Sequence, residues 1–252
     1  MINNYTKDYL LDKKVTIFQP IDGYRASTDA VLLSAMIDNS VKNASILDVG
    51  SGTGAISLCL AQRLKNNNVK IRGIELQNQL CELSNLSAKE NNFDFVQFFN
   101  IDIREKIKHQ ELAYCSFDIV ITNPPYSDHD MPSPNKSKAS AHNHSVSNLT
   151  EWLNICLKML KPYGKLYMVN RVEALPEICC SLQNKAGNLT IIPIHSKENQ
   201  KAKRIIISAQ KDSKSPCNIV HNFITHNHEG NYTDNAQKIL REGLSFNDIN
   251  LF

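Results

Sequence analysis

The chain has 252 residues, 42% hydrophobic and 21% charged. That balance excludes a disordered polymer, and the length suffices to bury a core without disulfide or metal staples. A net charge of +3 and a pI near 8.4 permit a nucleic-acid partner without demanding one. No apolar run reaches the roughly 18 residues of a membrane span, MINNYTKDYLLDKK has no secretory-signal core, and seven irregularly spaced cysteines make no disulfide or zinc pattern, so a cytoplasmic, non-membrane protein is expected.

Residues 1–43 stand outside any regular rhythm and are read as an N-terminal extension to a domain spanning 44–252. Within them, Thr28 is a candidate N-cap for a helix over 29–37. From residue 44, β-rich runs alternate with helical patterns. Ala44–Val49 reads as a strand, Ala55–Leu64 as a helix, Val69–Ile74 as a strand, Asn78–Glu90 as a helix and Val96–Ile101 as a strand. Phe117–Thr122 is nearly all apolar, as in a strand buried on both faces. Ser127–Asn148 is polar, with two prolines, and too long for an ordinary connection. Helices follow over Thr150–Leu160 and Glu173–Gln183, with strands at Lys165–Val169, Leu189–Ile194 and Arg204–Ser208. The last two strands form a hairpin around the charged connection 195–201. The alternation predicts an α/β fold, a mostly parallel sheet with helices on both faces and an antiparallel strand at one edge. Ligands of such sheets bind beyond the carboxyl ends of the strands.

The chemistry-bearing residues fall at those ends. Asp48-Val-Gly50-Ser-Gly52-Thr-Gly54 closes the first strand, and its glycines allow a tight turn and a close backbone approach. Alone, the glycines also satisfy a dinucleotide pattern or a simple strand-to-helix turn. Asp48 is poorly placed for a pyrophosphate and well placed for a cofactor carrying an ammonium and a sulfonium. Glu75 closes the second strand, where a carboxylate usually accepts from ribose hydroxyls. Asp102, with Ile103 beside it, follows the third strand and is a candidate acceptor for an adenine amino group, or else an N-cap.

Asn123-Pro124-Pro125-Tyr126 follows the fourth strand. A planar amide or base amine is a poor nucleophile because its lone pair is delocalised. Two acceptors aimed at its N–H bonds, the Asn123 side-chain carbonyl and the Pro124 backbone carbonyl, favour a more nucleophilic geometry. The prolines stiffen the loop, and Tyr126 offers a ring on which a planar substrate can stack.

Together these residues resemble class I S-adenosylmethionine-dependent methyltransferases acting on amino groups, over residues 44–209. The resemblance implies a Rossmann-like, mostly parallel seven-stranded sheet with an antiparallel edge strand, and S-adenosylmethionine as cofactor. N-P-P-[YF] is shared by enzymes acting on adenine N6, guanine N2 of rRNA and the glutamine amide of release factors. Phe18-Gln-Pro-Ile-Asp22-Gly-Tyr-Arg25-Ala-Ser-Thr28-Asp29-Ala, with Lys203-Arg204-Ile and Asn231-Tyr232-Thr233, resembles the bacterial tRNA1(Val) adenine-N6 methyltransferase family. That resemblance implies Thr28 and Asp29 beside the cofactor, an extension packed over it, and tRNA as partner to a monomer or weak dimer. The segment 127–148 departs from the family's better-known members. An oxidoreductase would leave N-P-P-Y unexplained; a non-catalytic RNA-binding scaffold would not need Asn123.

Lys136, Lys138, Lys197, Lys201, Lys203, Arg204, Lys211 and Lys214 could form a basic rim for phosphates, or be ordinary solvated cations. His142-Asn-His144 and His226-Asn-His228 lack a third ligand, so no metal is expected. Trp152 lies on a helical stripe with Ile155, Cys156 and Met159 and reads as core.

Overall fold

In the computed structural model, which describes residues 4–23, 25–105, 109–125 and 149–252, five strands run parallel. They are β3 (Ser45–Val49), β4 (Lys70–Glu75), β5 (Val96–Asn100), β6 (Phe117–Thr122) and β7 (Leu160–Arg171). At one end the expected hairpin, β8 (Ala186–His195) and β9 (Arg204–Lys211), supplies the antiparallel strand. β9 lies between β7 and β8 and is antiparallel to both. These seven strands are extended by two short ones, β10 (Asn218–Ile219) and β11 (Phe223–Ile224), which run beside β8. The order is β10-β8-β9-β7-β6-β3-β4-β5. Chain progression reverses between β3 and β6, so the switch point falls between Val49 and Thr122, which are in register.

Side chains alternate across the sheet, as a two-residue period requires. Ile46, Ile71, Ile119 and Ile121 face one core, built with α1 (Thr28–Ser34), α2 (Ala55–Leu64) and α3 (Asn78–Glu90). Leu47, Ile74 and Val120 face the other, built with α4 (Leu149–Met159) and α5 (Leu175–Leu182).

Residues before 44 hold regular structure that the sequence did not announce. β1 (Tyr5–Leu10) and β2 (Val15–Pro20) form an antiparallel hairpin. β2 is fixed to α3 by Phe18 N–H to Ser87 Oγ (2.9 Å) and Thr16 N–H to Asn91 Oδ1 (2.8 Å). The helix expected over 29–37 starts one residue earlier. Ser27 is its N-cap, with an extended backbone, and Thr28 is already helical, so Thr28 does not cap it. The helix ends at Ser34 because the next turns tighten to three-residue hydrogen bonds, Met36 to Leu33 and Ile37 to Ser34. A short helix follows Thr233, α6 (Asp234–Gln237), which the Thr233 hydroxyl caps. The chain then returns to α1, where Phe246 N–H donates to Ala35 O (2.9 Å).

Candidate active site

The turn after β3 folds back over the end of β4. Gly50 and Ser51 both donate to Ile74 O, at 2.9 and 3.0 Å. Gly50 and Gly54 adopt φ of +72° and +83°, where side chains are strained, and neither has room for one. A Cβ on Gly50 would sit 2.9 Å from the Trp152 ring, and one on Gly54 2.7 Å from the Phe98 ring. Phe98 also crosses Gly73 of β4, whose Cβ would approach it to 2.2 Å. One buried aromatic on β5 therefore supports the turn from below.

The acids sit where the strand ends put them, each in different company. Asp48 is fully buried. Its Oδ2 accepts from Ser57 Oγ at 2.8 Å, while Oδ1 has no partner among the described residues. Burial pushes its carboxyl up to about 7, against the Ser57 hydrogen bonds and with a smaller contribution from the Glu75 charge. Glu75 bridges two turns, with Oε2 accepting from Gly52 N–H and Oε1 from Gln77 N–H, both at 2.8 Å. Burial raises its pKa and those backbone donors oppose the rise. A carboxylate offers about four acceptor positions, so two of Glu75's remain. Asp102 is held by Arg104, whose Nε lies 2.9 and 3.0 Å from its two oxygens; that hydrogen bonding keeps its carboxyl below the usual range. Ile103 is buried in the second core.

Thr28 and Asp29 open α1. Asp29 Oδ2 accepts from Arg204 Nε at 3.1 Å, and Arg204 is in register with Arg171 at the carboxyl end of β7. Both residues therefore lie at the sheet's ligand edge. Asn123 follows Thr122, beside Gly50 across the switch point. Its Oδ1 is buried without a partner among the described residues. Pro124 is buried and Pro125 exposed. Tyr126, the polar segment 127–148, Lys136, Lys138, His142 and His144 lie outside the described residues.

Several neighbours escaped the sequence reading. Ser51 Oγ and Thr53 Oγ1 are also buried and unpartnered among the described residues, so the end of β3, the turn after it and Asn123 carry all four such side-chain atoms there. Buried polar atoms in such a state are rare, and four around one switch point suit a ligand rich in hydrogen-bonding groups. Leu76, directly after Glu75, is 51% exposed and offers an apolar flank to a ring held there. No sequence signal separates such a residue from a core leucine. Trp152 is half-buried; its indole N–H donates to Thr122 Oγ1 (2.9 Å), and that hydroxyl donates to Val49 O (2.7 Å). Among the described residues no group of three or more His, Cys, Asp or Glu is placed to hold a metal, and no helix is long and apolar enough to cross a membrane.

Comparison with known proteins agrees with this fold. The family described as "Methyltransferase domain" matches residues 40–228. A protein of Actinobacillus pleuropneumoniae serotype 7 named tRNA1(Val) (adenine(37)-N6)-methyltransferase is 30% identical over 73% of this chain and 75% of its own. One of the same name from Dyadobacter fermentans is 27% identical over 84% of each. Among solved structures, one from Agrobacterium tumefaciens described as a "predicted O-methyltransferase" superposes with a TM-score of 0.71 at 21% identity, covering 86% of this chain and 97% of that one.

Proposed function

Since the chain belongs to the methyltransferase-domain family, we propose that it methylates adenine N6 in a tRNA. The adenine at position 37 of tRNA1(Val), the base in its relatives' name, is the first site to map. The chain is a methyltransferase and S-adenosylmethionine is its cofactor, supplying an electrophilic methyl group on a sulfonium.

Asp48 Oδ1, the hydroxyls of Ser51 and Thr53, and the backbone of Gly50, Gly52 and Gly54 would hold the polar end of that cofactor. The two remaining acceptor positions on Glu75 would take its ribose hydroxyls, with Leu76 flanking the adenine. Asp102 would reach the adenine amino group only by sharing its oxygens with Arg104. Ile103 contributes from the second core, by shaping the wall behind that ring. Thr28 and Asp29 bring the N-terminal segment to the same edge, over the cofactor.

The observation that carries the proposal is Asn123 Oδ1, an acceptor buried beside the glycine turn with no partner among the described residues. A buried acceptor left unmatched costs about 1–3 kcal/mol. An exocyclic amine would repay that by donating one N–H to Asn123 and the other to the Pro124 carbonyl. The two contacts fix the nitrogen, direct its lone pair and accept the charge that grows on its hydrogens. Tyr126 would stack on the base, and the proton leaves after transfer without a strong general base.

The test is transfer from labelled S-adenosylmethionine into total bacterial tRNA, followed by nucleoside mass spectrometry. N6-methyladenosine, lost with Asn123→Ala while cofactor still binds, is the expected result. No label in tRNA adenine, with label appearing instead as N2-methylguanosine when rRNA is offered or in a release factor when that protein is offered, would overturn it. The reading places the protein in the cytoplasm, with tRNA as its macromolecular partner.

A further inference from the structure

Among the described residues, the lysines and the arginine that looked like one basic rim divide into two groups. β9 runs antiparallel, with Arg204 at the sheet's ligand edge and Lys211 at the far end. Seven residues of strand separate them, about 23 Å. Lys211 is spent on structure, since its Nζ donates to Leu160 O at 2.7 Å. Lys214 follows it at the far end. Lys197, Lys201 and Lys203 belong to the β8–β9 connection, at the same edge as Asn123. Lys203 N–H still donates to Ile194 O (3.3 Å) as the hairpin closes.

That connection is braced. Thr225 N–H donates to His195 O (2.9 Å) and His226 N–H to Ser196 O (3.0 Å), so the segment after β11 lies along it. His195 Nδ1 lies 2.6 Å from Gln200 O, and Lys197 Nζ lies 3.4 Å from His228 O. The one acid of the connection, Glu198, is engaged by His228 Nε2 at 2.9 Å. Lys201 and Lys203 are exposed and make no ion pair with a described residue. Three lysines against one occupied glutamate thus stand on a stiff base.

Its distance from the site suits a polyanion. β9 is two strands from β6, about 10 Å across, and Lys203 lies about three residues, or 10 Å, beyond the level of Asn123. The resulting gap of about 14 Å is about four stacked nucleotides at about 3.4 Å each. Resting on the proposed function, the geometry points to the β8–β9 connection as the surface that docks the tRNA backbone. Lys197, Lys201 and Lys203 bind phosphates a few nucleotides from the methylated base, and the far-end lysines take no part.

The experiment measures the Kd of the full chain for tRNA against KCl concentration. Wild type is compared with Lys197→Ala/Lys201→Ala/Lys203→Ala and with the far-end control Lys70→Ala/Lys214→Ala. Three lost phosphate contacts should flatten the log Kd–log salt slope by about 2, so that wild type loses about 20-fold more affinity than the triple variant between about 50 and 200 mM. S-adenosylmethionine binding should be unchanged, and the control should keep the wild-type slope. A triple variant that binds cofactor normally and keeps the wild-type slope overturns the docking surface, as does a control that flattens it equally. Were the triple variant to lose cofactor binding, the single Lys201→Glu replaces it, and an unaltered tRNA Kd there overturns the proposal. A wild-type chain that neither binds nor methylates tRNA removes the proposed function itself, a different result from any of these.

Discussion

Trp152 reaches from α4 to donate its indole N–H to Thr122 Oγ1 at 2.9 Å, while its ring fills the space where a Gly50 side chain would lie. The glycine turn and the segment leading into Asn123 are thereby held by one residue. Trp152→Phe deletes the donor together with the outer indole atoms that lie against Gly50, so it should cost about 2 kcal/mol of stability. Methyl transfer should slow because Asn123 loses its alignment, and cofactor Kd should weaken because the glycine turn loses its cover. Thr122→Val keeps the indole against Gly50 and should slow transfer far more than it changes cofactor Kd, and the double variant should be less than additive by about 1 kcal/mol. Urea unfolding of the four proteins with matched kcat measurements checks this; strict additivity would detach Trp152 from the site.

Gly54 makes a second test of the turn. Ala there must adopt φ +83° and meet the Phe98 ring at 2.7 Å and Ser84 Cβ at 3.0 Å. Both neighbours are buried and cannot withdraw freely. Gly54→Ala should cost about 2–3 kcal/mol, combining backbone strain with overpacking. Thermal unfolding reads the loss, and Phe98→Leu in the same chain should recover part of it by making room. No recovery would mean that strain alone sets the cost.

How much of this was legible follows from where the signals sit. Asp48, Glu75 and Asn123 could be placed at one edge of the sheet because each lies at the end of a β-rich run, so position along the chain gave position in space. The hairpin of β1 and β2 was missed because its turn, Leu11–Lys13, adopts φ of 50–67° with no glycine or asparagine to announce it. Trp152 read as core because helical periodicity reports a buried stripe and not the group that the stripe touches. Phe98 beneath Gly54 and Gly73, and Arg204 beside Asp29, are contacts between elements distant in sequence, which one sequence does not encode locally. The basic rim failed as one group because strand direction, invisible in composition, sent Lys211 to the opposite end.

Arg63 is a structural hub with a testable weight. From the last turn of α2 its guanidinium donates to Ser34 O (2.5 Å), Ile37 O (3.4 Å) and Gly243 O (3.0 Å), tying α1 to the C-terminal segment. Burial lowers its pKa, and the charges of Asp38 and Asp248 oppose that. Arg63→Ala would leave those carbonyls without their donor and should cost about 3 kcal/mol. Arg63→Lys, a point charge without the planar fork, should recover less than half. Hydrogen exchange should show residues 34–37 and 243–246 opening together in wild type and opening separately, each less protected, in the alanine variant; opening that stays concerted there would mean that Arg63 does not couple them.

Asp48 predicts how both stability and cofactor affinity respond to pH. Its carboxyl titrates near 7 when folded, raised by burial from 3.8. Between those values the folded chain keeps a proton that the unfolded chain has lost. Its contribution to stability is full below about pH 4 and is lost as pH rises through about 7. Asp48→Asn cannot ionise, so its cofactor-free Tm should gain on wild type as pH rises from about 5 to 8. Cofactor binding runs the other way. A carboxylate meeting donors must be charged, and a group titrating near 7 is about tenfold more ionised at pH 8 than at pH 6. Calorimetric Kd for S-adenosylmethionine should therefore tighten about tenfold across that interval in wild type and stay flat in Asp48→Asn. An equally steep profile in the variant would place the titrating group elsewhere, with Glu75, the other buried acid of the site, next to be tested as Glu75→Gln.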